Sequence, residues 1–160
     1  MNLFLLTLML LNKTSITISS PAFSNNGNIP AQYTCEGKNI NPAIQIGTVP
    51  KETKSLTLIV DDPDADKGVI THWVAWNIDP ATSKIEENSK PGIQGKNEKG
   101  ELGYMGPCPA TGMHHYYFKV YALDKKLDLK AGASKAEVLN AINGHILAEG
   151  ELVGLYQKKQ

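Results

Sequence analysis

The sequence lacks the features that would tie it to nucleic acid. Its 16 basic and 16 acidic residues balance to zero net charge, and no block of basic residues occurs. A protein that binds nucleic acid through its phosphates needs such a block, so we expect no nucleic-acid partner. Any anion that this chain binds must be held locally by a few side chains.

Internal repeats, heptads and low-complexity runs are also missing from the sequence. Gly and Pro are instead scattered between short apolar segments, which is typical of a chain rich in strands and loops. At 160 residues, the chain fits one domain. A domain of this size buries roughly two thirds of its unfolded surface and can fold on core packing alone.

No apolar run is long enough to span a bilayer as a helix, so we do not expect an integral membrane protein. The nearly pure apolar run from Leu3 to Leu11 matches the core of a secretory signal. Its flanks fit that role poorly, since no Lys or Arg precedes it and no small-x-small cleavage site follows. Residues 1–14 are interpreted as a signal peptide or an apolar extension, and residues 15–160 as the folded domain. The first alternative implies a periplasmic or secreted protein, and the second a cytoplasmic one.

Only two cysteines occur, Cys35 and Cys108, and they are far apart in the sequence. Neither belongs to a Cys-x-x-Cys pair, which disfavours a zinc site or a thioredoxin-like motif. They could form one disulfide in an oxidising compartment, or remain two small buried thiols. Spacing alone leaves both alternatives open.

Alternating apolar residues predict a mainly β fold. The predicted strands are Ser15–Ser19, Ser55–Asp61, His72–Ile78 and Tyr116–Leu123. Glu151–Tyr156 has the composition of a last strand, although Ile146–Leu155 also fits a helix. Lys90–Gly103 is polar and rich in glycine, which predicts a long surface loop of the kind that often carries function.

One helix is clearly indicated near the end of the chain. Ser134 is its predicted N-cap, and Glu137 follows three residues later to close a capping box. Val138, Leu139 and Ile142 form the predicted apolar stripe, which should pack on the sheet. The next glycine along the chain is a plausible stop.

The segment from Tyr104 to Tyr116 carries the strongest functional signal. Its mixture of Gly and Pro predicts a shaped loop, because proline fixes φ and glycine lets backbone approach a ligand closely. His114 and Tyr116 follow at strand spacing, so both should project from the same face. Such a loop could deliver ring and hydroxyl donors to the mouth of a strand.

A run of carboxylates, Asp61-Asp62-Pro63-Asp64-Ala65-Asp66, marks the end of a predicted strand. Proline at 63 holds Asp62 extended and turns the chain, so some carboxylates can point inward while others face water. An Asx-rich turn is the plain interpretation. A calcium loop is the alternative, but the regular ligand alternation and closing Glu of that motif are missing.

The histidines indicate a binding site more strongly together than singly. An Asp at one strand end, His72 at the start of the next strand, and His114 entering a third could converge at one end of a sheet. There Asp62 would orient a histidine, while Tyr116 offers its hydroxyl. Backbone N–H groups near Gly106 could complete a nest for an anion.

These residues follow one another in a characteristic order: Asp62-Pro63-Asp64-Ala65, then His72-Trp73, then Gly106-Pro107-Cys108-Pro109 with Gly112, His114 and Tyr116. In order and spacing they resemble the phosphatidylethanolamine-binding protein family. Other stretches resemble its bacterial, Raf-kinase-inhibitor-like branch, among them Ser20-Pro21-Ala22-Phe23, Tyr33-Thr34-Cys35 and Leu152-Val153-Gly154.

The resemblance implies a β-sandwich-like fold with one or two peripheral helices and a small anion pocket, which relatives fill with phosphate or a phosphoryl head group. Carried over by residue, the ligand-binding positions are Asp62, Asp64, His72, Gly106, His114 and Tyr116. Three positions depart from the family pattern at the pocket rim: Asp66, Ala110 and His115. His115 replaces a usual arginine, which weakens anion attraction above the imidazole pKa of about 6.5.

We therefore expect a non-catalytic binding protein for phosphate, a phosphorylated small molecule or a lipid head group, with no cofactor and no metal. The alternative is a regulator that binds a kinase or protease partner through the pocket rim and the loop Lys90–Gly103. An enzyme using Cys108 or a histidine as nucleophile, with Asp62 and His72 as its base, is least favoured. A thiol needs an exposed electropositive setting to react, and Cys108 lies between two prolines.

Overall fold

The computed structural model describes residues 14–159, which form two β-sheets, one α-helix and a single 3-10 turn. The strands are β1 (Thr14–Ser15), β2 (Ile18–Ser19), β3 (Gly27–Asn28), β4 (Ile44–Ile46), β5 (Ser55–Asp62), β6 (Ile70–Ile78), β7 (Lys84–Ile85), β8 (Ile93–Gln94), β9 (His114–Leu123) and β10 (Ile146–Tyr156). The helix α1 spans Lys135–Ile142, and the 3-10 turn spans Ala31–Tyr33. The mainly β fold expected from the sequence is confirmed.

The larger sheet has seven strands, in the order β1-β10-β9-β5-β6-β8, with β3 also paired to β10. Its long strands β10, β9, β5 and β6 are antiparallel neighbours. The central strand β5 is buried at every position. Both faces of the sheet are covered there: Leu58 and Val60 pack into the cluster on one face and Ile59 into the cluster on the other, so apolar residues follow one another where a half-exposed strand would alternate.

The smaller sheet, in the order β2-β4-β7, packs on one face of the larger sheet. Ile18, Ile44 and Ile85 from the small sheet share one buried cluster with Leu58 and Phe118 from the large sheet. Inner faces that interdigitate in this way form the core of a β-sandwich. The predicted sandwich architecture is therefore present.

The helix α1 lies on the opposite face of the larger sheet. The Ser134 hydroxyl accepts a hydrogen bond from the Glu137 backbone N–H at 3.2 Å, and the Glu137 carboxylate accepts one from the Ser134 N–H at 2.7 Å, which is the predicted capping box. Val138 and Ile142 pack into a second buried cluster with Trp76. Leu139 is 41% exposed and does not belong to the buried stripe. Val138 and Ile142, which lie about one turn apart, define the buried face. Leu139 directly follows Val138, so its side chain points about 100° away from that face.

The prediction of one strand at Ser15–Ser19 is wrong, because the chain changes sheets within it. Strand β1 pairs in parallel with β10 of the larger sheet, whereas β2 pairs with β4 of the smaller one. Ile16 and Ile18 are both buried between the two sheets, which explains why the pattern alternates like a single strand.

The structure also defines two further segments, Ile146–Tyr156 and Lys90–Gly103. Ile146–Tyr156 is one long strand and not a helix, since it pairs with β9 along its length. The predicted loop Lys90–Gly103 is interrupted by β8, which pairs with β6 at Ala75 and Trp76.

No helix among residues 14–159 is long and apolar enough to cross a membrane. The predictions of a signal peptide or an apolar extension concern residues 1–14, which lie outside the described part of the chain except for Thr14. Thr14 begins β1 at the edge of the larger sheet.

Candidate functional site

The candidate site lies at one end of the larger sheet. The last residues of β5 and the first residues of β6 and β9 meet there, because the three strands are antiparallel neighbours. Asp62 ends β5 opposite Ile70 of β6. The side chains of Asp62, His72 and His114, from these three strands, line the same cavity.

A β-bulge positions His72. Val60 pairs with Trp73, but the next residue, Asp61, pairs with Thr71, so His72 is an extra residue on β6. A bulge of this kind bends its strand and re-aims a side chain, and bulges occur often beside functional sites. The bulge therefore turns His72 out of the ladder toward the loop that follows β8.

Hydrogen bonds with Met105 define the protonation of His72. The His72 Nδ1–H donates to the Met105 carbonyl oxygen at 2.6 Å, and the Met105 N–H donates to the His72 carbonyl oxygen at 2.8 Å. Burial lowers the pKa of His72 below its ordinary value, and the bond to Met105 opposes this effect only in part. His72 is accordingly neutral at pH 7, with its hydrogen on Nδ1 and an acceptor at Nε2.

His114 forms a buried pair with Asp62. Its Nδ1 atom lies 2.8 Å from Asp62 Oδ2, and its Nε2 atom lies 3.1 Å from the Thr111 carbonyl oxygen. A carbonyl cannot donate, so Nε2 carries the hydrogen of the contact with Thr111. Both ring nitrogens of His114 are thus engaged, and Asp62 and Thr111 fix the orientation of the ring.

Tyr116 supports both imidazoles. Its ring meets the ring of His72 edge-on, with centroids 5.1 Å apart, and stacks on the ring of His114 at 6.5 Å. The Tyr116 hydroxyl is buried and makes no hydrogen bond with residues 14–159. Burial and the nearby charge of Asp62 raise its pKa, so the hydroxyl keeps its proton. Tyr116 was expected to donate to a ligand, but its side chain is not part of the cavity lining.

The loop between β8 and β9 approaches the cavity very closely at Gly106. A Cβ atom at this position would lie 2.5 Å from Asn39 Oδ1 and 2.5 Å from the Tyr33 carbonyl oxygen, which leaves no room for a side chain. The Gly106 N–H donates to Asn39 Oδ1 at 2.7 Å. This N–H is therefore occupied, and the expected backbone nest cannot use it in this conformation.

A disulfide between Cys35 and Cys108 joins two walls of the cavity, with their Cα atoms 5.5 Å apart. The structure thus has the bridged form of the two alternatives that spacing left open. Two hydrogen bonds fasten the same walls: the Cys35 N–H donates to the Pro107 carbonyl at 3.1 Å, and the Tyr104 hydroxyl donates to the Tyr33 carbonyl at 2.8 Å.

Asp64 lies beside the cavity and does not line it. Its Oδ2 atom accepts hydrogen bonds from His115 Nδ1 at 2.6 Å and from the His115 backbone N–H at 2.8 Å. These bonds lower the pKa of Asp64. Its own backbone N–H donates to Asp62 Oδ1 at 2.8 Å, which is the Asx turn expected for the Asp-rich segment. Asp64 and His115 thus form a partly exposed pair at the rim.

The cavity has a volume of about 390 Å³. Besides the predicted residues, its lining includes four polar positions that the sequence did not single out as ligand contacts: Asn39, Glu98, Lys99 and Thr111. Asn39 carries one signal that could have been used, because asparagine is common in the left-handed conformation that it adopts here, with φ of 55°. Its contact with the loop around Gly106 spans 67 residues and leaves no local pattern in the sequence.

Within residues 14–159, no group of His, Cys, Asp and Glu side chains is arranged to hold a metal ion. A larger depression of about 620 Å³ lies beside β1, β9 and β10, and it contains no histidine. The imidazoles of residues 72 and 114 are therefore concentrated in the smaller cavity.

Residues 19–157 fit the family model described as phosphatidylethanolamine-binding protein. The chain belongs to the phosphatidylethanolamine-binding protein family. This match confirms the resemblance expected from the motifs around Asp62, His72 and His114. It also assigns the chain to a family of binding proteins, without naming the ligand of this member.

Curated relatives agree with the assignment. A UPF0098 protein of Pyrococcus horikoshii is 52% identical over 157 residues, which cover 92% of this chain and 79% of the relative. A UPF0098 protein of Chlamydia trachomatis is 42% identical over 147 residues, which cover 88% of this chain and 98% of the relative.

Solved structures show the same fold. A phosphatidylethanolamine-binding protein homologue of Chlamydia trachomatis superposes with a TM-score of 0.87 at 41% identity, covering 91% of this chain and 99% of its own. YbcL of Escherichia coli, described as a new member of the mammalian family, superposes with a TM-score of 0.84 at 29% identity, covering 91% of this chain and 100% of its own.

Proposed function

We propose that the cavity binds one phosphoryl group, as free phosphate or as the head group of a phosphorylated small molecule or lipid, and releases it unchanged. The observation that carries the proposal is that His72 and the Asp62–His114 pair line one cavity of about 390 Å³. This volume is at the small end of the range for small-molecule pockets, which suits a head group better than a large ligand.

The charges around the cavity make such binding depend on protons. His72 is neutral, while Asp66 and Glu98 add negative charge opposite a single lysine, Lys99. A phosphoryl dianion would meet an acceptor at His72 Nε2 and repulsion from the carboxylates. A proton shared between Nε2 and a phosphoryl oxygen turns that contact into a charge-assisted hydrogen bond.

Binding should therefore tighten as the pH falls. Uptake of one proton with the ligand changes the affinity by up to about tenfold for each pH unit. His72 supplies the acceptor for this proton, since its Nδ1–H is already bonded to Met105. The hydrogen bond between Asp62 and His114 holds the cavity wall in place.

The bonding state of Cys108, the candidate nucleophile, supports release of the ligand without turnover. Cys108, which an enzymatic mechanism would need as a thiolate, is held in the disulfide with Cys35. Incubation with p-nitrophenyl phosphate, with and without a chelator, checks this part of the proposal. Steady release of nitrophenol by the purified protein would overturn it.

The binding proposal is tested by calorimetry with inorganic phosphate and with phosphoethanolamine at about pH 5.5 and about pH 8. We expect affinity at least about tenfold weaker at the higher pH. Sulfate serves as a third probe, because it stays a dianion over this range and any pH dependence of its binding must come from the protein.

The decisive variant is His72→Asn, since the asparagine amide can replace the Nδ1–H donor to Met105 but has no group at the position of Nε2. His145→Asn is the matched control: His145 is a partly exposed histidine that pairs with Asp124 away from the cavity. Equal affinity at both pH values, or wild-type binding by His72→Asn, would refute the mechanism.

Binding to a kinase or protease partner is the competing function. It would use the loop Lys90–Gly103, which reaches the cavity through Glu98 and Lys99 and exposes 48% of Leu102. A stoichiometric partner that is lost with Leu102→Ser but kept with His72→Asn would favour this function over ligand capture.

A further inference from the structure

Asn39 stands at the cavity in a defined backbone conformation. Its φ of 55° lies in the left-handed region, which asparagine adopts more readily than other side-chain-bearing residues. Its backbone N–H donates to the Gln32 carbonyl oxygen at 3.0 Å. The Cys35–Cys108 bridge holds the same loop against the opposite wall. The position of Asn39 is therefore set by the fold and not by its exposed side chain.

The orientation of the Asn39 side-chain amide is also fixed. The Gly106 N–H can only donate, so the atom that faces it at 2.7 Å must be the oxygen Oδ1. The Nδ2 group, at the other branch of the same planar amide, is turned away from Gly106 and donates to no other group of residues 14–159. Asn41 contrasts with this, because its Nδ2 donates to the carbonyl oxygens of Pro42 and Glu86.

The cavity has few other donors to offer. The His72 Nδ1–H is bonded to Met105, and the Gly106 N–H is bonded to Asn39. Both ring nitrogens of His114 are engaged by Asp62 and a carbonyl oxygen. Lys99 is exposed at the cavity wall. Besides the Lys99 ammonium and the Thr111 hydroxyl, the Asn39 amide hydrogens are therefore the donors of the lining that an anion in this cavity can use.

We propose that Asn39 is a ligand-binding residue whose Nδ2 group donates a hydrogen bond to a phosphoryl oxygen held in the cavity. This inference rests on the proposed function, since it assigns one further contact to the same ligand. The amide carries no charge, so its contribution is the same at every pH, and the pH dependence remains with His72. Asn39 also couples ligand binding to the loop, because one amide plane contacts both the ligand and Gly106.

Asn39→Asp separates the two roles of the side chain. Aspartate keeps an oxygen acceptor for the Gly106 N–H, but it removes the donor and adds a negative charge. Asn39→Ala removes both the donor and the acceptor. Lys38→Gln is the matched control, because it changes the net charge by the same amount at an exposed neighbour that does not line the cavity.

The experiment measures affinity for inorganic phosphate at about pH 5.5 together with amide hydrogen exchange of Gly106. We expect Asn39→Asp to bind at least about tenfold more weakly, which corresponds to about 1.4 kcal/mol, with exchange of Gly106 unchanged. Asn39→Ala should also bind more weakly, with faster exchange at Gly106. Lys38→Gln should stay within about twofold of wild type.

Two outcomes would overturn the inference, and they can be told apart. If the wild-type protein binds phosphate but Asn39→Asp and Asn39→Ala bind within about twofold of it, Asn39 does not contact the ligand and the proposed function stands. If the wild-type protein binds no phosphate, phosphoethanolamine or sulfate at either pH, the proposed function and the contact fail together.

Discussion

Removal of the disulfide should cost this protein a large part of its stability. The bridge closes a loop with a sequence separation of 73 residues. The chain-entropy model gives about 4 kcal/mol for a loop of this length, because the bridge limits the conformations open to the unfolded chain. Domains of this size are stable by about 5–15 kcal/mol, so the loss is substantial. The Cys35→Ser/Cys108→Ser double variant makes the change without leaving an unpaired thiol.

The folded state should keep its cavity in this variant. Three hydrogen bonds still join the two walls, from Cys35 N–H, Tyr104 hydroxyl and Gly106 N–H. Each contributes about 1 kcal/mol, and none requires the sulfur atoms. Serine at position 35 retains the backbone donor. The effect of the bridge should therefore fall mainly on the unfolded state.

Urea unfolding, followed through the fluorescence of the buried Trp73 and Trp76, measures this effect. We expect a free energy of unfolding about 3–4 kcal/mol below that of the wild type, with a larger m-value because the unfolded chain expands. The wild type in reducing agent should behave like the variant. A loss below about 1 kcal/mol, with m unchanged, would refute the reasoning that the bridge acts through the unfolded chain.

The remaining predictions concern the site and its supports. Gly106→Ala should lower the melting temperature by several degrees and weaken phosphate binding, because the new Cβ would crowd Asn39 Oδ1 at 2.5 Å. Lys135→Met should destabilise the fold by about 1–3 kcal/mol, since it leaves the mostly buried Asp61 without the ammonium group 3.0 Å away; Asp61→Asn in the same chain should restore much of the loss. Without ligand, stability should decline as the pH falls below about 6.5, because burial lowers the pKa of His72 and the unfolded chain takes up that proton more readily. His72→Asn should flatten this part of a melting-temperature series.

The sequence was sufficient for the parts of the fold that rest on local patterns. The capping box at Ser134 was predictable because its two hydrogen bonds join residues three apart. The long strands β5, β6 and β9 were predictable because their apolar residues lie in short runs between turns. Leu139 was wrongly assigned to the buried stripe, because the sequence does not show whether an apolar residue next to such a stripe faces the sheet or the solvent.

The parts that escaped prediction depend on contacts between distant segments. The bulge that turns His72 toward the cavity is set by how β5 and β6 pair, and β6 is buried at nearly every position, so no alternation reveals the extra residue. Asn39 reaches Gly106 across 67 residues. The strand order that brings β1 and β2 into different sheets is likewise a property of the assembled sandwich.

The family motif and the charges of this chain together suggest how the pocket differs from one built around a permanent cation. The 16 basic residues are all lysine, so no guanidinium is available anywhere for bidentate phosphate binding. At the rim position where the family resemblance implies an arginine, His115 pairs with Asp64, and its partly exposed imidazole is a cation only when protonated. In the binding mode proposed here, Asn39 is a donor that stays the same at every pH, and His72 is the group that gains a proton. Under the proposed function, a pocket with these parts would discriminate by protonation as well as by shape, and it should capture a phosphoryl ligand best below neutral pH and release it above.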